Sequence, residues 1–523
     1  MAEFENEYTW GKATKNGTTD KFHEKFDRAI ENVQKEFGKK LPMIINGKKV
    51  NSENYFPVHS PADKEIILAE FPRGTKDNVL DAIDSAKSAF EQWSITPYQK
   101  RVKIFRECAD IFSTQKYFFA ALMTFENGKN RIEAMGDIDE TIDFMRFYAF
   151  QLEKHKGFCK PTTNPNPHEK TQTIMKPYGV WGIIAPFNFP SAIAIGMTTG
   201  ALLTGNTVIL KPASATPLSS FQFAKIIYTK LSPGTINFIT GSGSEIGQMI
   251  IESPDVDGIS FTGSREVGIS GFKEFTSTSV KPFISEMGGK NPVIVTKFAD
   301  LDKAVNGVMN AAFGYGGQKC SACSRVYVQE DVADQFVKKI IEKTKKLKIG
   351  LPWKKEIFLG PIIDADAKKK FEDAVHFAKK DGQILVGGST MSDKEFGNGY
   401  YVEPTIVTKL PEDHFLVKNE LFLPFLCIQK YYDFDKALEL ANDTEYGLTA
   451  GIFSKDKHQL ERFFQKIQAG VTYANRADSA TTAALVSSQP FVGWKNSGST
   501  GKGAGGENYL QQFMRTQTQT RCD

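Results

Sequence analysis

Little charge of either sign is in excess along this chain of 523 residues: 65 Lys+Arg against 61 Asp+Glu leave a formal net charge of +4. With no concentrated basic stripe, an electrostatic nucleic-acid footprint is excluded. Cysteine is scarce, at positions 108, 159, 320, 323, 427 and 522, so no disulfide framework is expected. Histidine is scarcer for the length, seven in all with no ligand spacing, and no metal site is expected. The opening MAEFENEYTWGKATK has no apolar h-region, so no secretory signal is read and a cytoplasmic location is expected. The uncharged run from Pro177 to Leu210 is interrupted by Pro186, Asn188 and Pro190. That fits a buried strand–loop–helix better than a membrane span, so no membrane partner is expected.

What the chain does have is the profile of a folded protein larger than one typical domain, 41% apolar and 24% charged. Residues 1 to about 60 read as polar and irregular, with a helix over 21–37 and a hairpin at IINGKKV; 75–150 has helical spacing. Residues 155–172 are rich in Pro, Thr and Asn, an excursion from the core. From 179 onward short apolar runs alternate with helices: GVWGIIA, SAIAIGMTTGALLT, NTVILK, SSFQFAKIIYTK, INFIT, SEIGQMIIE, DGISFTG and REVGISGFKEF. Such βαβ units specify an α/β fold with a parallel sheet covered on both faces. A second α/β series runs over 288–475, with strands expected at NPVIVT, SRVYV, QILVGG, FLCIQK and GVTYAN.

Doubly wound sheets bind nucleotides where a Gly-rich turn meets a helix N-terminus. ITGSGSEIG, with Gly241, and ISFTGSREVG, with Gly263 and Ser264, both qualify, although either could be simply a turn. The pair Cys320 and Cys323 in QKCSACSR leaves open a zinc half-site, a redox couple or a nucleophile. Three further segments add chemistry: EMGGKNP ends a strand with Glu286, GYGGQKCSACSR carries Cys320, and APFNFP carries Asn188. A thiol nucleophile, a carboxylate base and an amide oxyanion donor are sufficient for covalent acyl chemistry.

With APFNFP, KPASATP, PGTINFITG, ISFTGSREVG, EMGGKNP, GQKCSA, NELFLPF, ANDTEYGLTAG and QPFVGWKNSG in order, the chain resembles the aldehyde dehydrogenase superfamily over nearly its whole length. The resemblance implies a Rossmann-type cofactor domain (1–157 and 179–287), an α/β catalytic domain (288–480), and an oligomerisation arm and tail (158–178 and 498–523). It implies a homo-oligomer, a small aldehyde substrate and NAD or NADP as cofactor. Cys320, Glu286 and Asn188 take the roles of nucleophile, base and oxyanion donor. Lys211, Ser214, Gly241, Gly263, Ser264, Glu420 and Phe422 fall at the cofactor, and Ser214, where NAD-preferring relatives often carry glutamate, suggests that NADP is accepted.

Further segments, EFGKKLPMIINGKKV, ENGKNRIEA, GQKCSACSR and ATTAALVSSQPF, are similar to the branch that oxidises L-glutamate γ-semialdehyde, the open form of 1-pyrroline-5-carboxylate. By that resemblance Ser321, Ala483 and Ala484 hold the substrate carboxylate, and Phe189 and Phe491 sandwich its methylene chain. Lys129 reads as a structural or interface lysine rather than a catalytic one, and Cys323 as a neighbour of the nucleophile. Leu423 and Val492 stand where the family usually has glycine and add bulk close to the tunnel. Another semialdehyde, or a broad range of aliphatic aldehydes, is the alternative substrate.

Overall fold

A computed structural model of the chain describes residues 4–393, 396–477 and 485–522. In the first half, helices α1 (Thr9–Lys15), α2 (Thr19–Gln34), α3 (Lys76–Trp93), α4 (Tyr98–Glu126) and α5 (Arg131–Lys154) precede the parallel strands of the first sheet in the chain. Their starts are written locally. Thr75 and Asn78 form a reciprocal capping box on α3, and the Asn130 side chain accepts from the Ile132 and Glu133 amides of α5. The N-terminal sixty residues are more ordered than their polarity suggests. Phe22, Phe26, Ala29 and Val33 of α2 are buried, at a gain of roughly 1.5–3 kcal/mol for each large side chain. Segments Tyr55–Ser60 and Asp63–Pro72 pair as an antiparallel hairpin, which the sequence reading did not anticipate.

Two seven-stranded sheets organise the rest. The first contains β1 (Met43–Ile45), β2 (Lys48–Val50), β3 (Val180–Ile184), β4 (Thr207–Lys211), β5 (Ile236–Phe238), β6 (Gly258–Thr262) and β7 (Phe283–Glu286), in the order β7-β6-β3-β4-β5-β1-β2. Its β3–β7 pairings are parallel, and β1 and β2 extend it antiparallel. Every residue of β3 and β4 is buried, as a strand covered on both faces requires. Helices α6 (Ala192–Leu203), α7 (Pro217–Ile227), α8 (Gln248–Glu252) and α9 (Arg265–Phe275) link these strands.

The second sheet contains β8 (Asn291–Val295), β9 (Cys323–Gln329), β10 (Gln383–Val386), β11 (Thr405–Thr408), β12 (Phe425–Tyr431), β13 (Thr449–Phe453) and β14 (Val471–Ala474), in the order β10-β11-β12-β9-β8-β13-β14. The five strands read from sequence are all present, and β11 and β13 are additional. Separately, the strands Cys159–Pro161, Glu169–Pro177 and Met514–Cys522 form a three-stranded antiparallel sheet, joining the Pro-rich excursion to the C-terminal tail. Among the described residues no helix is long and apolar enough to cross a membrane.

Candidate active site

Cys320 sits between the turn Gly314–Gly317 and β9. Tyr315, Gly316 and Gly317 adopt φ of 51°, 62° and 67° in succession, a left-handed run that glycine tolerates. A Cβ on Gly317 would collide with the Leu423 carbonyl, so the turn can close only with glycine there. Asn291, at the start of β8, pins the residues beyond that turn. Its amide donates to the carbonyls of Cys320 (2.7 Å) and Ala322 (2.9 Å), and its oxygen accepts from the Thr449 amide (3.0 Å). Sequence reasoning passed over Asn291, although it lies within the segment EMGGKNP.

Burial pushes the Cys320 thiol far up, and the carboxylates of Glu420 and Glu286 push the same way; the backbone amides of Ser321 and Cys320 oppose them. Those amides are oriented to stabilise negative charge on the sulfur. Glu286 ends β7, beside Thr262 of β6. Its carboxyl is pushed well up by burial, against one backbone hydrogen bond from Gly493, and its Oε2 has no hydrogen-bond partner. Asn188, on the loop after β3, is 3% exposed and donates one amide hydrogen to the Gln318 carbonyl at 3.1 Å. Its NH₂ group carries a second hydrogen for another acceptor.

Two spaces meet at Cys320. The first, a cleft of about 760 Å³, lies at the C-terminal ends of β3, β4, β6 and β7. Lys211, Ser214, Gly243, Ser244, Gly263 and Ser264 line it, together with Asn188, Glu420, Phe422 and Cys320. Ser264 caps α9 by accepting from the Val267 amide, so a helix N-terminus opens onto the cleft. Gly241 does not line it; this turn glycine (φ 147°) instead accepts the Ser214 hydroxyl through its carbonyl at 2.8 Å. Lys211 is 3% exposed, its ammonium donates to the Pro212 carbonyl, and burial lowers its pKa to about 8. Glu420 accepts from the Gly289 amide at 2.9 Å, and burial pushes its carboxyl up to about 7. A Cβ on Gly288 would collide with that carboxylate. A buried ammonium, a buried carboxylate and glycine turns at a helix N-terminus fit a dinucleotide with ribose hydroxyls and a pyrophosphate.

The second space, a cavity of about 70 Å³, is mostly apolar. Phe144 and Tyr148 of α5, Phe189, Met197 of α6, Phe491 and Tyr509 supply much of its wall, with Cys320, Ser321, Glu286 and Glu140 as polar groups. Phe189 and Phe491 thus share one pocket with Cys320 and Ser321. The Lys129 ammonium stands 3.5 Å from the Phe189 ring centroid and is paired with Asp137 at 2.7 Å, both side chains fully buried. Glu140 was not singled out from sequence; burial pushes its carboxyl well up, and the anion of Asp137 adds to that. Ala483 and Ala484 lie outside the described residues. Leu423 and Val492 line neither space; Leu423 packs instead with Leu416, Val417 and Phe425, so its added bulk falls in the core of the second sheet. Cys323 is buried, its thiol against the Arg325 carbonyl. Among the described residues no cluster of three or more His, Cys, Asp or Glu could hold a metal.

Residues 48–519 match the profile of the aldehyde dehydrogenase family. The chain belongs to that family. Its fellow members include a 1-pyrroline-5-carboxylate dehydrogenase from Geobacillus sp. (strain WCH70), 38% identical over 499 residues that span 94% of this chain and 95% of the relative. The 1-pyrroline-5-carboxylate dehydrogenase 2 of Bacillus subtilis (strain 168) is likewise 38% identical, over 95% of each chain. Among solved structures, 1-pyrroline-5-carboxylate dehydrogenase from Thermus with bound NAD superposes with a TM-score of 0.92 at 30% identity, covering 100% of both chains. This aldehyde dehydrogenase therefore shares its fold and nearly its full length with enzymes named for one substrate.

Proposed function

We propose that this aldehyde dehydrogenase oxidises L-glutamate γ-semialdehyde, the open form of 1-pyrroline-5-carboxylate, to L-glutamate with NAD or NADP. The observation that carries the reading is the position of Cys320 between a dinucleotide-shaped cleft and an apolar pocket with polar groups. Its relatives' shared name supports the substrate. So does the pocket: Phe189 and Phe491 offer flat faces to a methylene chain, Ser321 a hydroxyl to the carboxylate, and Glu140 a carboxyl to the α-ammonium group.

Cys320 loses its proton to solvent and, as the thiolate, attacks the aldehyde carbon. The free amide hydrogen of Asn188 and the Cys320 backbone amide hold the resulting oxyanion. When bound in the cleft, the dinucleotide would supply its nicotinamide as hydride acceptor, and Lys211 and Glu420 would hold its two riboses. Collapse of the oxyanion, with the aldehyde hydrogen leaving as hydride to that acceptor, would leave a thioester on Cys320. Glu286, with one oxygen unpaired, takes a proton from water as it attacks the thioester, and glutamate leaves.

Ser214 places a neutral hydroxyl where a carboxylate would repel a 2′-phosphate, which supports use of NADP beside NAD. Residues 1–157 and 179–287 would serve the cofactor and 288–480 the catalytic turn. The sheet built from 158–178 and the C-terminal tail would join subunits of a homo-oligomer, and the enzyme would work in the cytoplasm. The test is NAD(P)H formation with glutamate semialdehyde or propanal, each with NAD and NADP. Clear preference for glutamate semialdehyde is expected; equal or better rates with propanal would discard the carboxylate anchor and leave a broad aliphatic aldehyde dehydrogenase.

A further inference from the structure

Residues Phe4–Thr9 form no regular element until α1 begins at Thr9, yet they are tied down by a dense set of hydrogen bonds. The Glu7 amide donates to both oxygens of Asp143, at 2.9 and 3.1 Å, and the Thr9 amide and hydroxyl donate to Asp139, each at 2.7 Å. The Glu7 carboxylate accepts from Ser113, Lys116 and Arg146, at 2.8, 3.0 and 3.0 Å. Asp139 and Asp143 lie four apart on α5. One position on from each, Glu140 and Phe144 line the substrate pocket, joined at the same spacing by Tyr148. One rigid helix therefore carries the strapped segment on one stripe and the pocket wall on the adjacent stripe.

The strap also reaches a second part of the pocket. Asn6 donates through Nδ2 to the Val486 carbonyl at 3.1 Å, a contact spanning nearly the whole chain. Val486 belongs to the loop Leu485–Phe491, and Phe491 lines the pocket. On its inner side the loop is tied by the paired backbone bonds of Phe491 and Ala504 and by Ser487 to Gly505. Its outer ties are Asn6 and the bond from Arg476 to the Gln489 side chain at 2.7 Å.

We propose that residues Phe4–Thr9 are a clasp that sets the position of the Leu485–Phe491 loop against α5, with Asn6 a positioning residue for substrates that carry a charged tail beyond the methylene chain. The proposal rests on the substrate reading above. It assigns the N-terminal segment a part in specificity, although no atom of that segment lines the pocket. A tail-less aldehyde needs only Cys320, Asn188 and Glu286, so it is indifferent to the loop. A substrate whose chain stacks on Phe491 registers any drift of it.

Asn6→Asp keeps the shape but removes the donor; Asn6→Ala removes both. In the full-length enzyme each is expected to raise KM for glutamate semialdehyde about fivefold, with kcat and the KM for propanal within about twofold of wild type, the loss of one hydrogen bond felt through position. Amide hydrogen exchange across 485–491, measured without substrate, is expected to quicken in both variants. Unchanged exchange would overturn the clasp whichever aldehyde the wild type prefers. Quickened exchange with KM unchanged, or raised equally for both aldehydes, would overturn the specificity role. A wild type without preference for glutamate semialdehyde would instead count against the substrate reading, and exchange would still decide the clasp.

Discussion

The cleft and the pocket share Cys320 but are built in opposite ways. The cleft is assembled largely from the βα turns of one sheet: Lys211 ends β4, Gly263 follows β6 and Met287 follows β7. The pocket draws α5, α6, the Asn188 loop, β6, β7 and the chain around 491–509 into one space. The first carries more polar side chains and glycine turns, while aromatic walls dominate the second. A strand-end turn can therefore keep a general ligand geometry on its own, whereas side-chain selectivity requires distant segments to agree.

That division can be broken most severely at the shared residue. Cys320→Ala should lower turnover by about four orders of magnitude or more, yet leave dinucleotide binding intact when followed by calorimetry. Loss of binding as well would mean the two spaces are not separable. Glu286→Gln, on the pocket side, should reduce steady-state kcat by about 10²–10⁴-fold; normal turnover would remove Glu286 from the base role.

Smaller effects should sort by side. Glu420→Gln and Gly288→Ala, the latter through its collision with the Glu420 carboxylate, should each raise the cofactor KM about tenfold. Neither should change the aldehyde KM measured at saturating cofactor. Phe491→Ala should do the reverse, raising KM for glutamate semialdehyde about tenfold with cofactor KM unaltered in the same initial-rate series.

The mildest effect is electrostatic and crosses the boundary. Burial, Glu420 and Glu286 all hold the Cys320 thiol above its ordinary range, so thiolate, and hence alkylation by iodoacetamide, should increase with pH well past neutrality. Removing the Glu286 charge with Glu286→Gln should move that alkylation profile to lower pH. A shift to higher pH would show that the carboxylate supports the thiolate rather than opposing it.

The same contrast explains what could be read in advance. Asn188, Glu286, Lys211 and Gly263 stand at abrupt changes from apolar run to loop, and such changes are visible in one dimension. Glu140 was not visible: it lies among Asp137, Asp139 and Asp143 on one helix, and only packing decides that Asp137 pairs with Lys129, Asp139 and Asp143 hold the N-terminal strap, and Glu140 faces the pocket. Asn291 was hidden because its work is done by contacts to residues about thirty and 158 positions away. Strands β11 and β13 are short and carry Thr or Gly, without the alternation or unbroken apolar run that marks a strand. The resemblance supplied Ser321, Phe189 and Phe491, which periodicity alone would have left among ordinary turn and core residues.

The central claim is that the substrate becomes an acyl group on Cys320 at the junction of the two spaces. Glu286→Gln mixed with glutamate semialdehyde and cofactor, then quenched and digested, tests it most directly. The expected result is one NAD(P)H per subunit formed in a rapid burst, with a glutamyl thioester on the peptide at Cys320. A burst with that peptide unmodified, or with the adduct on Cys323, would contradict the account.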